Sequence, residues 1–262
     1  MIHENVSAEA SVLAVTGGAN GIGLAVAKQW HAAGGEVILL DLNQGALRDA
    51  VESLGSRARG IQVDVIDSNS INAAMDDISS NEGKLNALVN CAGFARHARL
   101  DELLDADFIK MFDVHLGGAL RVSRGAYPLL RKAARGGESA AVVHLSSAAG
   151  VHGIPGRVSY GTSKAGIAGM VRTLAVEWGP DNIRVNAVNP GPTRTALVDE
   201  LIAKHEIQVE PLVKRTPLAR MPVVAEVASP IVFLCSAAAS FITGVCLPID
   251  GGLTIDGNWY AE

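Results

Sequence analysis

Short apolar runs alternate with segments of helical period from one end of this chain to the other. Residues 11–16 read as a strand and 21–33 as the helix after it. Residues 36–41, Glu-Val-Ile-Leu-Leu-Asp, form a run apolar enough to be covered on both faces. A helix at 45–54, a strand at 60–64 and a helix opened by the cap residues Asp67 and Ser68 follow. The series continues with a strand at 85–90, a long helical region at 103–134 with Pro128 as a candidate kink, and a strand at 140–146. A helix carrying Tyr160 and Lys164 stops near Gly179-Pro180, and then come a strand at 182–188, a helix at 224–237 and a last strand at 245–249. Strands separated by helices need parallel crossover connections, so the expected fold is α/β, a doubly wound parallel sheet. Its 262 residues fit one large domain, 1–262, and no repeat or low-complexity linker divides them.

Bulk properties exclude several classes of partner. A net charge of −5 lacks the basic face that nucleic acid requires. Residues 223–239 are the longest apolar stretch, but Glu226, Ser229, Pro230 and Ser236 interrupt it, so it reads as a buried helix and no membrane partner is expected. Residues 1–6 show no basic segment leading into an apolar run, so no signal peptide is expected. Cys91, Cys235 and Cys246 have no metal or redox spacing, which points to core thiols, a metal-free site and the cytoplasm. Apolar residues make up 48% of the chain and charged ones only 19%, which suits a surface partly covered by other subunits.

Between the first strand and its helix lies Thr16-Gly17-Gly18-Ala19-Asn20-Gly21-Ile22-Gly23. Glycines there let backbone approach a pyrophosphate, and the free N–H groups of the helix start favour an anion. Asp41 ends the second strand, near the spacing of about 20 residues expected for an acid on the adenosine ribose. Its carboxylate would repel a 2′-phosphate, and neither Asn20 nor Leu42 offers a cation to bind one. The expected cofactor is therefore NAD rather than NADP. Downstream, Tyr160 and Lys164 stand four apart on one helix face. An ammonium beside a phenol favours the phenolate and lowers its pKa from about 10. Tyr160 can then take a proton from a substrate hydroxyl while Ser147 steadies the substrate oxygen.

These residues carry a family resemblance. The chain is similar over nearly its whole length to the short-chain dehydrogenases/reductases, through Thr16–Gly23, Asp64-Val65, Asn90-Cys91-Ala92-Gly93, Ser146–Gly150, Tyr160 with Lys164, residues 184–191 and Asp250-Gly251-Gly252. The resemblance implies a Rossmann-type fold and a catalytic set of Ser147, Tyr160 and Lys164, with the lysine also on the nicotinamide ribose. It implies cofactor contacts at Gly17, Asn20, Gly21, Ile22, Gly23, Asp41, Leu42, Asp64, Val65, Asn90, Ala92 and Gly93. Pro190, Gly191, Thr193 and Thr195 would clamp the carboxamide at the start of a substrate lid spanning 190–222. A homotetramer or homodimer is implied as well.

Two positions depart from the family pattern. Cys91 stands where a second asparagine is usual, and it reads as a packing change rather than a nucleophile. His115 stands where an asparagine usually completes a proton relay to the lysine; it either relays through its backbone carbonyl or accepts a proton on its imidazole. The expected activity is oxidation of a secondary alcohol (polyol, sugar or hydroxysteroid among them) to a ketone, or the reverse. A 3-oxoacyl or other carbonyl reductase is the same-class alternative, and a non-catalytic NAD-binding regulator the alternative from another class. Arg96, His97, Arg99, His152 and Arg157, with Phe94, Ile154, Leu197 and Val198, would line a mildly basic mouth, unless acids such as Asp101, Glu102 and Glu200 neutralise the basic groups.

Overall fold

The computed structural model describes residue 8, residue 11, residues 12–204 and residues 208–257. Residues 1–6, read above for a leader, and the side chain of Leu197 lie outside the described residues. Seven parallel strands form one sheet: β1 (Val12–Thr16), β2 (Glu36–Asp41), β3 (Ala58–Gln62), β4 (Ala87–Asn90), β5 (Ala140–Leu145), β6 (Ile183–Pro190) and β7 (Cys246–Ile249). Their order is β3-β2-β1-β4-β5-β6-β7. Nine helices connect and extend them among the described residues: α1 (Gly21–Ala32), α2 (Gln44–Leu54), α3 (Ser68–Asn81), α4 (Asp105–Phe112), α5 (Gly118–Arg135), α6 (Val158–Trp178), α7 (Ala196–Ala203), α8 (Glu210–Lys214) and α9 (Val224–Cys235).

Alternation along each strand feeds two cores. Val12, Ala14, Ile38, Leu40, Leu88 and Val142 point to one face, where they meet Ile71 and Ile78 of α3, Val122 and Leu130 of α5, and Ile167 and Val171 of α6. Leu13, Val15, Val37, Leu39, Val89 and Val143 point to the other, against Val26 and Trp30 of α1 and Val227 and Ile231 of α9. Each fully buried leucine or isoleucine here contributes about 1.5–3 kcal/mol. Strand order reverses between β1 and β4, so their carboxyl ends open a crevice, the place where such sheets bind ligands.

Two expectations need correction. β3 spans Ala58–Gln62, two residues earlier than 60–64, because pairing with β2 sets its register, Val37 opposite Ala58 and Asp41 opposite Gln62. An edge strand needs no apolar run, so hydrophobicity pointed past it to Val63 and Asp64. The region at 103–134 is interrupted at Asp113–Gly117, a π-helical turn around His115, while α5 continues through Pro128.

Candidate active site

The glycine loop closes on itself and on the turn after β4. Gly17 adopts φ +63°, and a Cβ there would sit 3.0 Å from the backbone of Ala92. The Ala92 N–H donates to the Thr16 hydroxyl at 3.2 Å, holding the two loops together. A Cβ on Gly23 would overlap the Gly17 carbonyl, so only glycine lets α1 start this close to β1. At Gly21, by contrast, a Cβ would meet only the Thr195 methyl, at 3.9 Å. Asn20 and Gly21 are exposed at the start of α1, and Ile22 is half-buried behind them. The glycine backbone thus leaves a cradle open at a helix N-terminus.

Beside it lies a cavity of about 440 Å³ lined by Gly17, Asp41, Leu42, Asp64, Val65, Ala92 and Gly93 among others. The Asp41 carboxylate is fixed there by the N–H groups of Ala19 (3.2 Å) and Asn43 (3.0 Å). Asp64 is fixed likewise, its carboxylate accepting from the Ile66 N–H at 3.1 Å. Asn90 is placed otherwise: its side chain is buried in the core, where its amide donates to the Ser123 hydroxyl (3.1 Å) and meets His144 Nδ1 (3.3 Å). Lys110 and Val114 also line the cavity, and no sequence pattern pointed to either.

The second loop cluster joins β5 to α6. Ser146 is buried, and its hydroxyl donates to the Lys164 carbonyl at 2.8 Å. A Cβ on Gly150 would press into the Lys164–Ala165 backbone at 2.9 Å, and one on Gly161 into the Ala149 carbonyl at 2.9 Å. These two glycines let the turn after β5 lie directly on the first turns of α6, a requirement not recognised in the sequence. Ser147 caps the short turn Ala148–Gly150 by accepting from the Ala149 N–H at 3.1 Å, and its hydroxyl lies close enough to the Tyr160 phenol to favour the phenolate. Lys164 is buried, with its Nζ 5.6 Å from the Tyr160 ring centroid. Ser147, Tyr160 and Lys164 are therefore brought together at the carboxyl end of the sheet.

The electrostatics differ from the expectation. Burial raises the Tyr160 pKa above its ordinary 10, while the hydrogen bond from Ser147 and the Arg157 charge pull it down. The Lys164 ammonium donates to the Leu145 carbonyl at 2.6 Å rather than to the phenol. Desolvation lowers its own pKa to about 8, so it is largely charged at neutral pH. Cys91 lies beside this lysine, but burial pushes its thiol up to about 12, which leaves it protonated and inert.

His115 is buried in the π-helical turn, with its ring edge-on to Tyr160 at 5.4 Å between centroids. Its Nε2 lies 2.7 Å from the Phe94 carbonyl oxygen and 3.2 Å from the Phe94 backbone nitrogen, so the ring is tied to the Phe94 backbone whichever nitrogen carries the proton. Nδ1 is buried without a partner. Desolvation first, and the Lys164 charge second, lower the His115 pKa to about 3. The imidazole is neutral at any working pH. Gly93 touches the face of this ring: a Cβ there would stand 2.5 Å from Nδ1 and closer still to Cε1.

The segment after β6 crosses this region. Pro190 pairs with Ile249 of β7, and a Cβ on Gly191 would lie 3.1 Å from the Asp250 Cα. The Thr193 hydroxyl donates to the Gly191 carbonyl at 2.9 Å, and Thr195 caps α7 by accepting from the Val198 N–H at 3.2 Å. Both ends of the 190–222 stretch are clasped, Arg194 N–H to the Pro222 carbonyl (2.8 Å) and Leu218 N–H to the Gly251 carbonyl (3.1 Å). Among the described residues no group of three or more His, Cys, Asp or Glu could hold a metal, and no helix is long and apolar enough to cross a membrane.

A glycine cradle at the switch point of a doubly wound sheet, facing a Ser-Tyr-Lys cluster, defines an oxidoreductase of the nicotinamide-dinucleotide class. A family model described as enoyl-(acyl carrier protein) reductase matches residues 17–254. The chain is 35% identical over 250 residues to a 3-oxoacyl-[acyl-carrier-protein] reductase of Thermotoga maritima, covering 94% of this chain and 99% of that one. It is 38% identical over 246 residues to the cis-4-hydroxycyclohexanecarboxylate dehydrogenase of Sinomonas cyclohexanicum, covering 93% and 96%. The crystal structure of a 3-ketoacyl-(acyl-carrier-protein) reductase from Brucella melitensis complexed with NADH superposes with a TM-score of 0.86, at 25% identity over 95% of this chain and 100% of that one. This chain belongs to the short-chain dehydrogenase/reductase family of oxidoreductases.

Proposed function

We propose that the chain is an NAD-dependent dehydrogenase that interconverts a secondary alcohol and a ketone, with Tyr160 as the acid/base. The observation that carries this reading is the contact of Ser147, Tyr160 and Lys164 at the mouth of the crevice. The glycine cradle and the adjacent cavity suit a dinucleotide: Gly17, Asn20, Gly21, Ile22 and Gly23 on the pyrophosphate, Asp41 and Leu42 on the adenosine ribose, Asp64 and Val65 on adenine, and Ala92 and Gly93 beneath the nicotinamide half. Asn90 supports the turn from within the core. Pro190, Gly191, Thr193 and Thr195 hold the carboxamide end, and the 190–222 stretch covers the substrate. Asp41 supports NAD over NADP, because a fixed carboxylate lining the cavity would repel a 2′-phosphate.

When bound, the nicotinamide supplies the hydride acceptor or donor and, oxidised, a positive charge near the phenol. Tyr160 as the phenolate accepts the proton of the substrate alcohol, and as the phenol it gives a proton to a carbonyl oxygen. Ser147 donates to that oxygen and steadies the charge it gains. Lys164, desolvated but charged, keeps the local field positive and presents its remaining N–H donors to the cofactor ribose. His115 acts through position: its neutral ring, tied to the Phe94 carbonyl, holds the π-helical turn whose backbone carries the relay. The relative named for a 4-hydroxycyclohexanecarboxylate supports a secondary alcohol as substrate, and the one named a 3-oxoacyl reductase supports the reverse direction on a carbonyl. Free cysteines at Cys91, Cys235 and Cys246 support the cytoplasm. The apolar groove of Phe108, Ile109, Phe112, Leu116, Leu120 and Met170 supports burial against a second copy, in a dimer or tetramer. Tyr160→Phe tests the assignment: turnover should fall about 10²–10⁴-fold with NADH binding kept. Turnover retained in that variant would remove Tyr160 from the chemistry.

A further inference from the structure

Of the five basic side chains that the sequence suggests for the mouth, three are already engaged. Arg96 is paired with Asp107 at 2.6 Å and Arg99 with Asp101 at 3.3 Å. His97 bonds the Pro155 carbonyl at 3.1 Å, packed where Gly156 leaves room for its ring. Arg157 and His152 remain. Both are half-buried, and they line one cavity of about 370 Å³ between the turn after β5 and the start of α6. The Arg157 guanidinium makes no hydrogen bond or ion pair among the described residues, and His152 Nδ1 is buried without a partner. Arg157 is the residue that precedes α6, three positions before Tyr160, and its Cζ lies 5.8 Å from the phenol ring centroid.

A half-buried guanidinium that rests on a phenol ring, with no carboxylate or carbonyl on its N–H groups among the described residues, keeps its donors available to an anion. Its planar fork matches a carboxylate through two parallel hydrogen bonds. We propose that Arg157 binds the carboxylate of an anionic secondary alcohol whose hydroxyl lies at Tyr160, so that the site selects a hydroxy acid over the neutral alcohol of the same shape. The inference rests on the hydride-transfer reading above and narrows its substrate class. The Arg157 charge also draws the Tyr160 phenol downward, so one side chain both places the substrate and assists the base.

Matched pairs of substrates separate the two readings: cyclohexanol against cis-4-hydroxycyclohexanecarboxylate, and 2-butanol against 3-hydroxybutyrate. The quantity read is the kcat/KM of the acid divided by that of its neutral partner. Wild type should favour the acid about 10²-fold, mainly through KM. Arg157→Leu should bring the ratio close to one, and Arg157→Lys, which keeps a point charge without the fork, should keep part of it. Any loss through Tyr160 strikes both members of a pair alike and cancels in the ratio. NADH binding by each variant shows that it is folded, and Arg157→Gln serves if the leucine variant is not. Neutral alcohols turned over as fast as acids, or a ratio unchanged in Arg157→Leu, would overturn the role of Arg157 and leave hydride transfer standing. No turnover of either series with NAD or NADP would overturn both.

Discussion

Acid should destabilise this protein well above the range where carboxylates titrate, and two buried imidazoles set the size of the effect. His115 and His144 are held at about 3, against an ordinary 6.5, with burial as the first cause in each. As pH falls below about 6.5 the unfolded chain protonates both, while the folded chain keeps both neutral until near 3. The unfolded state then binds more protons, so the stability present above about 6.5 is lost progressively towards 3. One such histidine approaches a slope of about 1.4 kcal/mol per pH unit, which makes the loss between pH 7 and pH 5 about 2 kcal/mol each and about 4 kcal/mol for the pair. Urea unfolding at pH 7, 6 and 5 measures it. His115→Asn removes one titrating group and should cut that loss by about half. The same slope in His115→Asn as in wild type would refute the neutral, desolvated imbedding of His115 against Phe94.

Two further outcomes are expected. Gly93→Ala drives a Cβ into the His115 ring, so it should cost about 1–3 kcal/mol and lower Tm by about 2–4 °C per kcal/mol, with much of the loss recovered when His115→Ala is added; strictly additive effects would show that the two residues do not touch. Asp41→Ser removes the carboxylate from the adenosine end of the cavity and should shift the kcat/KM ratio towards NADP, as thermal-shift titrations with both cofactors would also report.

What was legible in the sequence follows from which forces leave a mark on it. β1, β2 and β5 are covered on both faces, so burial had to write apolar runs at 11–16, 36–41 and 140–146. The glycine loop was legible because backbone crowding at Gly17 and Gly23 tolerates no other residue. β3 was misplaced because Ala58, Arg59 and Gly60 are held at an edge by pairing with β2 and by the ion pairs of Arg59 with Asp77 and Glu82, none of which needs an apolar run. The π-helical turn at Asp113–Gly117 leaves no compositional trace, since it shifts hydrogen bonds rather than residue types. The downward pull expected of Lys164 on Tyr160 failed on a matter of aim: spacing put both on one face, but only the fold shows the ammonium turned to Leu145. Asn90 was read as a cofactor contact from its motif, whereas its amide is spent on Ser123 and His144 in the core. Lys110 belongs to α4, a helix that no cofactor motif marks, and only the fold brings it to the cavity.

Hydride transfer is the central claim, and isotope transfer tests it most directly. A secondary alcohol deuterated at its carbinol carbon, incubated with the protein and NAD, should yield ketone and singly deuterated NADH, with the label on one face of the nicotinamide and none lost to water. Ketone formed with the label released to solvent, or NADH bound tightly while no alcohol or ketone of any class is converted, would contradict the account.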